Sequence, residues 1–414
     1  MKEKIDNTVS RREFLGITMT SAVLAGASVL GAEEKKEEEK KPVEYSRKIK
    51  LGIIGGGHRG NFVGGFIKKH GGYDIHAVAD YFPEVANKLG DAFGVDKARC
   101  FSGLSGYRKV IDSGVEALAI LDVPYFYPEQ AKAAVDAGCH VYIAKPVAVD
   151  VPGTLAIGAA AEEATKKNRC FLVDYQLPLD PGNKEVASRI NAGGLGPLAH
   201  ILSFGKTAAW NDPPKGPTIE SRLQHVVWLS DIALSGDTIL SYDIHIIDGI
   251  TWVMGKRAVS ACGRSRICRA NPNGDRIDAC GVVFEYDDGV LWTHVLQSLN
   301  NNADFSDLSA SFFGVKATAR IAYGGKVYVR GGDKHHVGAV SGGIYKEGAE
   351  RNVADFYRNI TEGHFENATV KRAVDGHLTA ILGREASARR KCLTMDELIR
   401  ENKKLTVSLE GLKA

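Results

Sequence analysis

Lys48-Ile49-Lys50-Leu51-Gly52-Ile53-Ile54-Gly55-Gly56-Gly57-His58-Arg59-Gly60 is an apolar strand running into a glycine turn, and Asn61 to His70 continues as a helix. The turn carries the GxGxxG spacing. Gly55 permits the tight turn, Gly57 lets the backbone approach a pyrophosphate, and Gly60 allows helix to pack closely on strand. The helix start supplies free N–H groups and a partial positive charge for phosphates, with His58 and Arg59 beside them. A second strand, Tyr73 to Ala79, ends in Asp80, twenty residues beyond Gly60. A carboxylate there accepts hydrogen bonds from both adenosine ribose hydroxyls and repels a 2′-phosphate, so the pattern predicts NAD rather than NADP.

Strand and helix go on alternating. Ala117 to Leu121 is a third strand, Glu129 to Ala137 a helix, His140 to Ile143 a strand, Val151 to Lys167 a helix and Cys170 to Val173 a strand. Alternation of this kind predicts an α/β fold with a doubly wound parallel sheet. Its ligand crevice lies at the carboxyl ends of the strands, where Asp80, Asp122 to Tyr127, Ala144 to Pro146 and Asp174-Tyr175-Gln176 fall. After about Gly194 the alternation stops. Candidate strands then crowd together from Leu198 to Arg330, with Asp287-Asp288-Gly289 as a hairpin turn, and helices return at Glu350 to Glu362, Val370 to Arg389 and Thr394 to Leu405.

Composition excludes several classes. The 414 residues are 44% hydrophobic, enough for two cores, and 53 basic against 50 acidic side chains give a net charge of +3 with no basic stripe for nucleic acid. The seven cysteines show no metal-ligand spacing and no disulfide framework, although Cys262, Cys268 and Cys280 are close enough for one surface disulfide. His335 and His336 sit in a Gly-rich stretch with no paired carboxylates nearby in sequence, so no metal site is expected. The expected partner is a small molecule. Trp210, in a loop, is placed to stack on a sugar ring, and His225 and Trp228 are placed to line the same pocket.

At the N-terminus Ser10-Arg11-Arg12-Glu13-Phe14-Leu15 precedes an uncharged stretch from Ile17 to Leu30, shorter than the roughly 20 residues that span a bilayer. The order resembles a twin-arginine export signal, which implies removal of residues 1–32, a charged linker over 33–47, a periplasmic or otherwise exported protein, and no stable membrane anchor after processing.

Ala137-Gly138-Cys139-His140-Val141-Tyr142-Ile143-Ala144-Lys145-Pro146 resembles the A-G-K-H-V-x-x-E-K-P signature of the Gfo/Idh/MocA oxidoreductases, the family of glucose-fructose oxidoreductase and inositol dehydrogenase. The resemblance implies a Rossmann domain over 48–175 and, over 176–414, an α+β domain with a large, mostly antiparallel, open-faced sheet for substrate or for homo-oligomer contact. It implies Lys145 as the group beside nicotinamide and reacting hydroxyl, Tyr127 where the family commonly has a cofactor-side His, and His245 as the retained catalytic His. Two acids of the pattern are missing, at Ala144 and at Ser241, four residues before His245. Tyr175, Gln176, Trp210, Asp243 and Asp248 are the weaker substrate-side candidates, Asp248 as a group to orient the imidazole. The expected activity is NAD-dependent oxidoreduction of a sugar or glycoside with tightly held NAD and redox-neutral chemistry, extending to glycosidic cleavage. A plain sugar or polyol dehydrogenase, a two-sugar oxidoreductase and a non-catalytic sugar-binding protein are the alternatives.

Overall fold

In the computed structural model, residues 45–224, 227–299 and 306–414 are described. The export segment and His225 lie outside them.

The six-stranded sheet comprises β1 (Ile49–Ile54), β2 (Tyr73–Asp80), β3 (Cys100–Ser102), β4 (Ala117–Ile120), β5 (His140–Ile143) and β6 (Phe171–Val173) in the order β3-β2-β1-β4-β5-β6. Every pairing is parallel. Strands β4, β5 and β6 are buried on both faces, which explains their unbroken apolar sequence. The flanking helices are α1 (His58–His70), α2 (Pro83–Phe93), α3 (Gly106–Asp112), α4 (Tyr127–Asp136) and α5 (Val151–Lys166). The strand order reverses between β1 and β4, and the crevice opens there.

After α6 (Pro181–Asn191), β7 (Leu198–Thr207) starts a second sheet. Short helices α7 (Ile219–Leu223) and α8 (Ile232–Ser235) lead to a π-helical turn at Ile239–Asp243 and to α9 (Ile244–Met254). The sheet continues through β8 (Ser260–Arg266), β9 (Ala279–Glu285), β10 (Leu291–Ser298), β11 (Asp307–Gly314), β12 (Ala317–Ala322), β13 (Gly325–Gly331) and β14 (His336–Ser341). Helices α10 (Ile344–Glu362) and α11 (Ala368–Arg389) precede β15 (Leu393–Thr394) and α12 (Met395–Glu401). The nine strands run β14-β13-β12-β11-β7-β10-β9-β8-β15, and β7–β10 is a parallel pair in an otherwise antiparallel ladder. The hairpin at Asp287-Asp288-Gly289 forms as the sequence predicts, with Gly289 at φ +80°.

Helix α11 is the keel between the sheets. Its His377 accepts the Val147 N–H through Nε2 at 2.9 Å, just beyond β5, and its Arg384 donates to the carbonyls of Val149 and Gly236. Two expectations are revised. The last helix stops at Glu401 rather than Leu405, because Asn402 adopts a left-handed conformation (φ +43°) that caps it. The disulfide joins Cys262 of β8 to Cys392, next to β15, a pairing the sequence distances concealed, while Cys268 and Cys280 are free thiols. It ties the sheet's last strand back across 130 residues.

Closing so long a loop restricts the unfolded chain. Cys262→Ser is therefore expected to lower unfolding stability by about 2–4 kcal/mol, read from denaturant midpoints of oxidised wild type and variant. Equal midpoints would show that the bond contributes nothing.

Candidate active site and its cofactor cleft

The glycine turn is shaped by contacts that leave no room for side chains. Gly55 has φ +94°, and a Cβ there would approach the Leu121 backbone to 2.5 Å. A Cβ on Gly60 would lie 1.8 Å from the Gly55 carbonyl oxygen, so α1 docks directly on the turn. Gly57, by contrast, faces open space. It precedes α1 without a side-chain cap, leaving the first helical N–H groups free for an anion. Asn61, which the sequence reading passed over, donates from Nδ2 to the Gly56 and Gly57 carbonyls at 2.6 and 3.0 Å and clamps the turn.

A cleft of about 1310 Å³ runs from this turn along the strand ends. Asp80 lines it at the end of β2, accepting from the Gly56 and Phe82 N–H groups at 2.8 and 3.0 Å. Each oxygen keeps a lone pair for a ribose hydroxyl. Burial raises the Asp80 pKa, and the two N–H bonds oppose that shift. Asp122 stands nearby, its pKa pushed up to about 6 by burial and then by the Asp80 charge. Residues at this end fit an adenosine ribose without a 2′-phosphate.

At the inner end stand Tyr127, Ala144, Lys145, Ser241, Arg59 and Tyr345, with Trp228 on the wall and His58 exposed beside the turn. Lys145 donates to the Ser241 carbonyl at 2.5 Å. Its pKa is lowered to about 7 by burial and then by Arg59, against the opposing pull of Asp174 and Asp243. Tyr127 is buried, and desolvation holds its phenol protonated. Arg59 lines the cleft, and its Nη1 has no hydrogen-bond partner. It ion-pairs with buried Asp174 and lies under the rings of Phe62 and Tyr345, 5.3 and 4.8 Å from their centroids. Asp174 also accepts from Gln176 and Asn352 at 2.7 and 2.8 Å, joining the end of β6 to α10.

Several substrate-side candidates are placed elsewhere. His245 is 6% exposed and outside the cleft lining, its ring 4.6 Å from that of Tyr323; burial, then Lys145 and Arg59, drive its pKa well below the usual range. Asp248 cannot orient it, because Asp248 is buried in an ion pair with Arg372 at 2.7 Å. Tyr175 is buried with its hydroxyl 3.3 Å from His377 Nδ1, and Gln176 accepts from the Tyr323 hydroxyl at 2.8 Å. Trp210 lies outside the cleft lining; its carbonyl accepts from Arg276 at 2.8 Å and its ring meets Tyr242 edge-on. The π-turn interrupts the regular helical spacing through Ser241. It leaves Asp243 fully buried against β7, where a Cβ on Gly205 would collide with the carboxylate. Asp243 pairs with His294 Nε2 at 2.7 Å, and His294 Nδ1 lies 2.8 Å from the Ser203 hydroxyl, which accepts from Trp292 at 2.6 Å. Asp243 has a pKa raised to about 6 by burial, opposed by His294 and Lys145. His294 is 46 residues from its nearest sequence candidate, Asp248, and no local pattern marks it. Among the described residues no group of three His, Cys, Asp or Glu side chains could hold a metal.

Removing the Asp80 carboxylate deletes charge-assisted bonds, each about 1.5–3 kcal/mol. Asp80→Ala is expected to raise the Kd for NAD roughly tenfold or more and that for NADP much less, by titration of nucleotide-free protein. Equal losses for both would remove Asp80 from discrimination.

The model of the Gfo/Idh/MocA oxidoreductase family, NAD-binding Rossmann fold, matches residues 49–175. Among curated relatives, inositol 2-dehydrogenase 3 of Saccharopolyspora erythraea is 25% identical over 216 residues, 51% of this chain and 56% of that protein. The chain spans about half the length of the first curated relatives it matches. Among solved structures, scyllo-inositol dehydrogenase of Lactobacillus casei, with NAD(H) and scyllo-inositol, has TM-score 0.66 at 19% identity, covering 84% of this chain and 100% of that one. Aldose-aldose oxidoreductase of Caulobacter crescentus, complexed with glycerol, has TM-score 0.65 at 16% identity over 84% and 100%. These likenesses in structure are of fold. With the glycine turn, Asp80 and the parallel sheet in one unit, the matched residues 49–175 are an NAD-binding Rossmann domain of the Gfo/Idh/MocA oxidoreductase type.

Proposed function

We propose that the chain is an exported oxidoreductase of a sugar, polyol or glycoside that keeps its NAD through turnover and works without net redox change. One observation carries the reading: a lysine with pKa near 7 at the inner end of a dinucleotide cleft. NAD bound there supplies a hydride acceptor and donor. Neutral Lys145 takes the proton of the hydroxyl being oxidised and returns it on reduction, its amine aimed by the Ser241 carbonyl. Tyr127, Tyr345 and Trp228 line the cleft around it, and His245, buried and held neutral behind the wall, stays uncharged near Lys145. While a ring hydroxyl, most readily that at C3, is a ketone, the neighbouring C–H is acidic. A glycosidic substituent beside it can then leave and water can add, before the ketone is reduced again.

Export is supported by the arginine pair at Arg11 and Arg12 and by the Cys262–Cys392 disulfide, which suits an oxidising compartment. Without a free NAD pool outside the cytoplasm, a cofactor that stays bound must be regenerated on the substrate itself, which favours redox-neutral chemistry. The names of the relatives, which act on inositols and aldoses, support the substrate class. Val283, Leu291 and Phe313, exposed on the outer face of the large sheet, support a second copy of the chain as its cover.

Incubating the purified protein with glycosides and polyols in deuterated water, without added NAD, tests the chemistry. Released sugar bearing deuterium beside the oxidised carbon is expected. A stoichiometric keto-sugar with bound NADH would replace the reading with a plain dehydrogenase, and binding without either product with a sugar-binding protein. Turnover should rise with pH through about 7 as Lys145 loses its proton, and Lys145→Ala should abolish it; retained turnover would take Lys145 out of the mechanism.

A further inference from the structure

The chain does not end at its last helix. Beyond Asn402, which turns it out of α12, residues 403–414 run back across the molecule to the carboxyl ends of β2 and β3. Leu405 donates its N–H to Asp150 Oδ2 at 2.8 Å, the residue whose other oxygen caps α5. Farther on, Lys413 accepts from the Leu104 N–H through its carbonyl at 2.9 Å and donates its own N–H to the Tyr81 hydroxyl at 3.2 Å. That hydroxyl donates to Glu220 at 3.0 Å, and the Lys413 ammonium lies 3.8 Å from the same carboxylate. Between these anchors Val407 and Leu412 pack on a small apolar cluster separate from the main core, made by Tyr81, Val123, Leu223 and Leu234 with Phe82, Leu104 and Trp228 beside them. Leu409 lines the cofactor cleft itself.

The place of these contacts gives them meaning. Tyr81 and Phe82 follow Asp80 directly, and Val123 follows Asp122, so the cluster lies where the adenosine half of a dinucleotide meets the ends of β2 and β4. Gly103 is shaped for the covering chain: a Cβ there would stand 2.2 Å from the Ala414 carbonyl oxygen. Resting on NAD as the cofactor and deepening the reading that it is retained, we propose that residues 403–414 are a component of the nucleotide site, a strap that closes the adenosine end and sets how slowly NAD leaves. The strap presents Leu409 to the cleft, and its outer residues stay in water, so it is held by two backbone-anchored ends and one apolar seam. Opening it requires the seam to part, and release of the nucleotide waits on that opening.

The test follows bound nucleotide rather than turnover. Full-length protein loaded with NAD is mixed with excess isotopically labelled NAD, and exchange is read by mass spectrometry. Deleting 403–414 is expected to speed exchange by roughly tenfold or more, and the double variant Leu409→Ser, Leu412→Ser by several-fold, with the change in the off-rate. Should the deletion fail to fold, the double variant decides alone. Bound NAD should also protect the chain from tryptic cleavage after Lys403 and Lys404. Folded variants that bind NAD and exchange it at the wild-type rate would overturn the strap while leaving the cofactor assignment intact; wild-type protein that binds no NAD would overturn both.

Discussion

The cleft depends on one close approach, that of Gly60 at the start of α1 to the carbonyl of Gly55 in the turn below it. A Cβ at position 60 would stand 1.8 Å from that oxygen, so any side chain would lift the helix off the strand. With the helix seated, its unpaired N–H groups face the crevice where β1 and β4 part, and Asp80 reaches the turn's Gly56 N–H as well as the space beyond. Phosphate recognition and ribose recognition thus share one rigid backbone, clamped by Asn61. A site built on such contacts costs little to hold ready, since nothing in the turn must reorder to admit a ligand.

Charge is arranged differently at the two ends. Around the turn, carboxylates gather at Asp80 and Asp122, where burial raises both pKa values and a phosphorylated ribose would meet like charge. At the inner end cations gather, with Arg59 committed to Asp174 and Lys145 left as the group whose proton is loosely held. Asp174 is the hinge of that end, because the same carboxylate takes Arg59 from α1, Gln176 from the chain after β6 and Asn352 from α10. Buried ionic groups are costly unless fully partnered, and this carboxylate is. Asp243 is less completely satisfied: one oxygen meets His294 and the other has no partner.

Position 241 carries no acid, and its polar atoms are engaged locally. Ser241 gives its carbonyl to Lys145 and its hydroxyl to the Asp237 carbonyl, while the nearest carboxylate, Asp243, is turned by the π-helical residues toward the large sheet. The retained histidine is likewise set behind the cleft wall against Tyr323. Lys145, by contrast, lines the cleft itself.

The Rossmann half was legible because its signals are local: apolar runs of strand length, glycines that only a turn of this shape requires, and a carboxylate at a fixed distance along the chain. Strands β7 to β13 of the second sheet were also legible, by alternation and by the hairpin at Asp287 to Gly289, with boundaries shifted by a residue or two, whereas the edge strands β14 and β15 were not. What the sequence could not determine was where polar side chains find their partners across the fold. Asp248 looked like a support for His245 because both lie on one helix, but Arg372, 124 residues away, takes its charge. Tyr175 and Gln176 looked available because they follow a strand end, yet His377 and Tyr323 hold them. Nothing in the sequence around Cys392 or in the tail beyond Asn402 named its partner, and only packing brought one to Cys262 and the other to the cleft. Local periodicity fixes which face of an element is apolar; the pairing of buried charges and the course of an extended tail are settled by distance in three dimensions, which no spacing along the chain records.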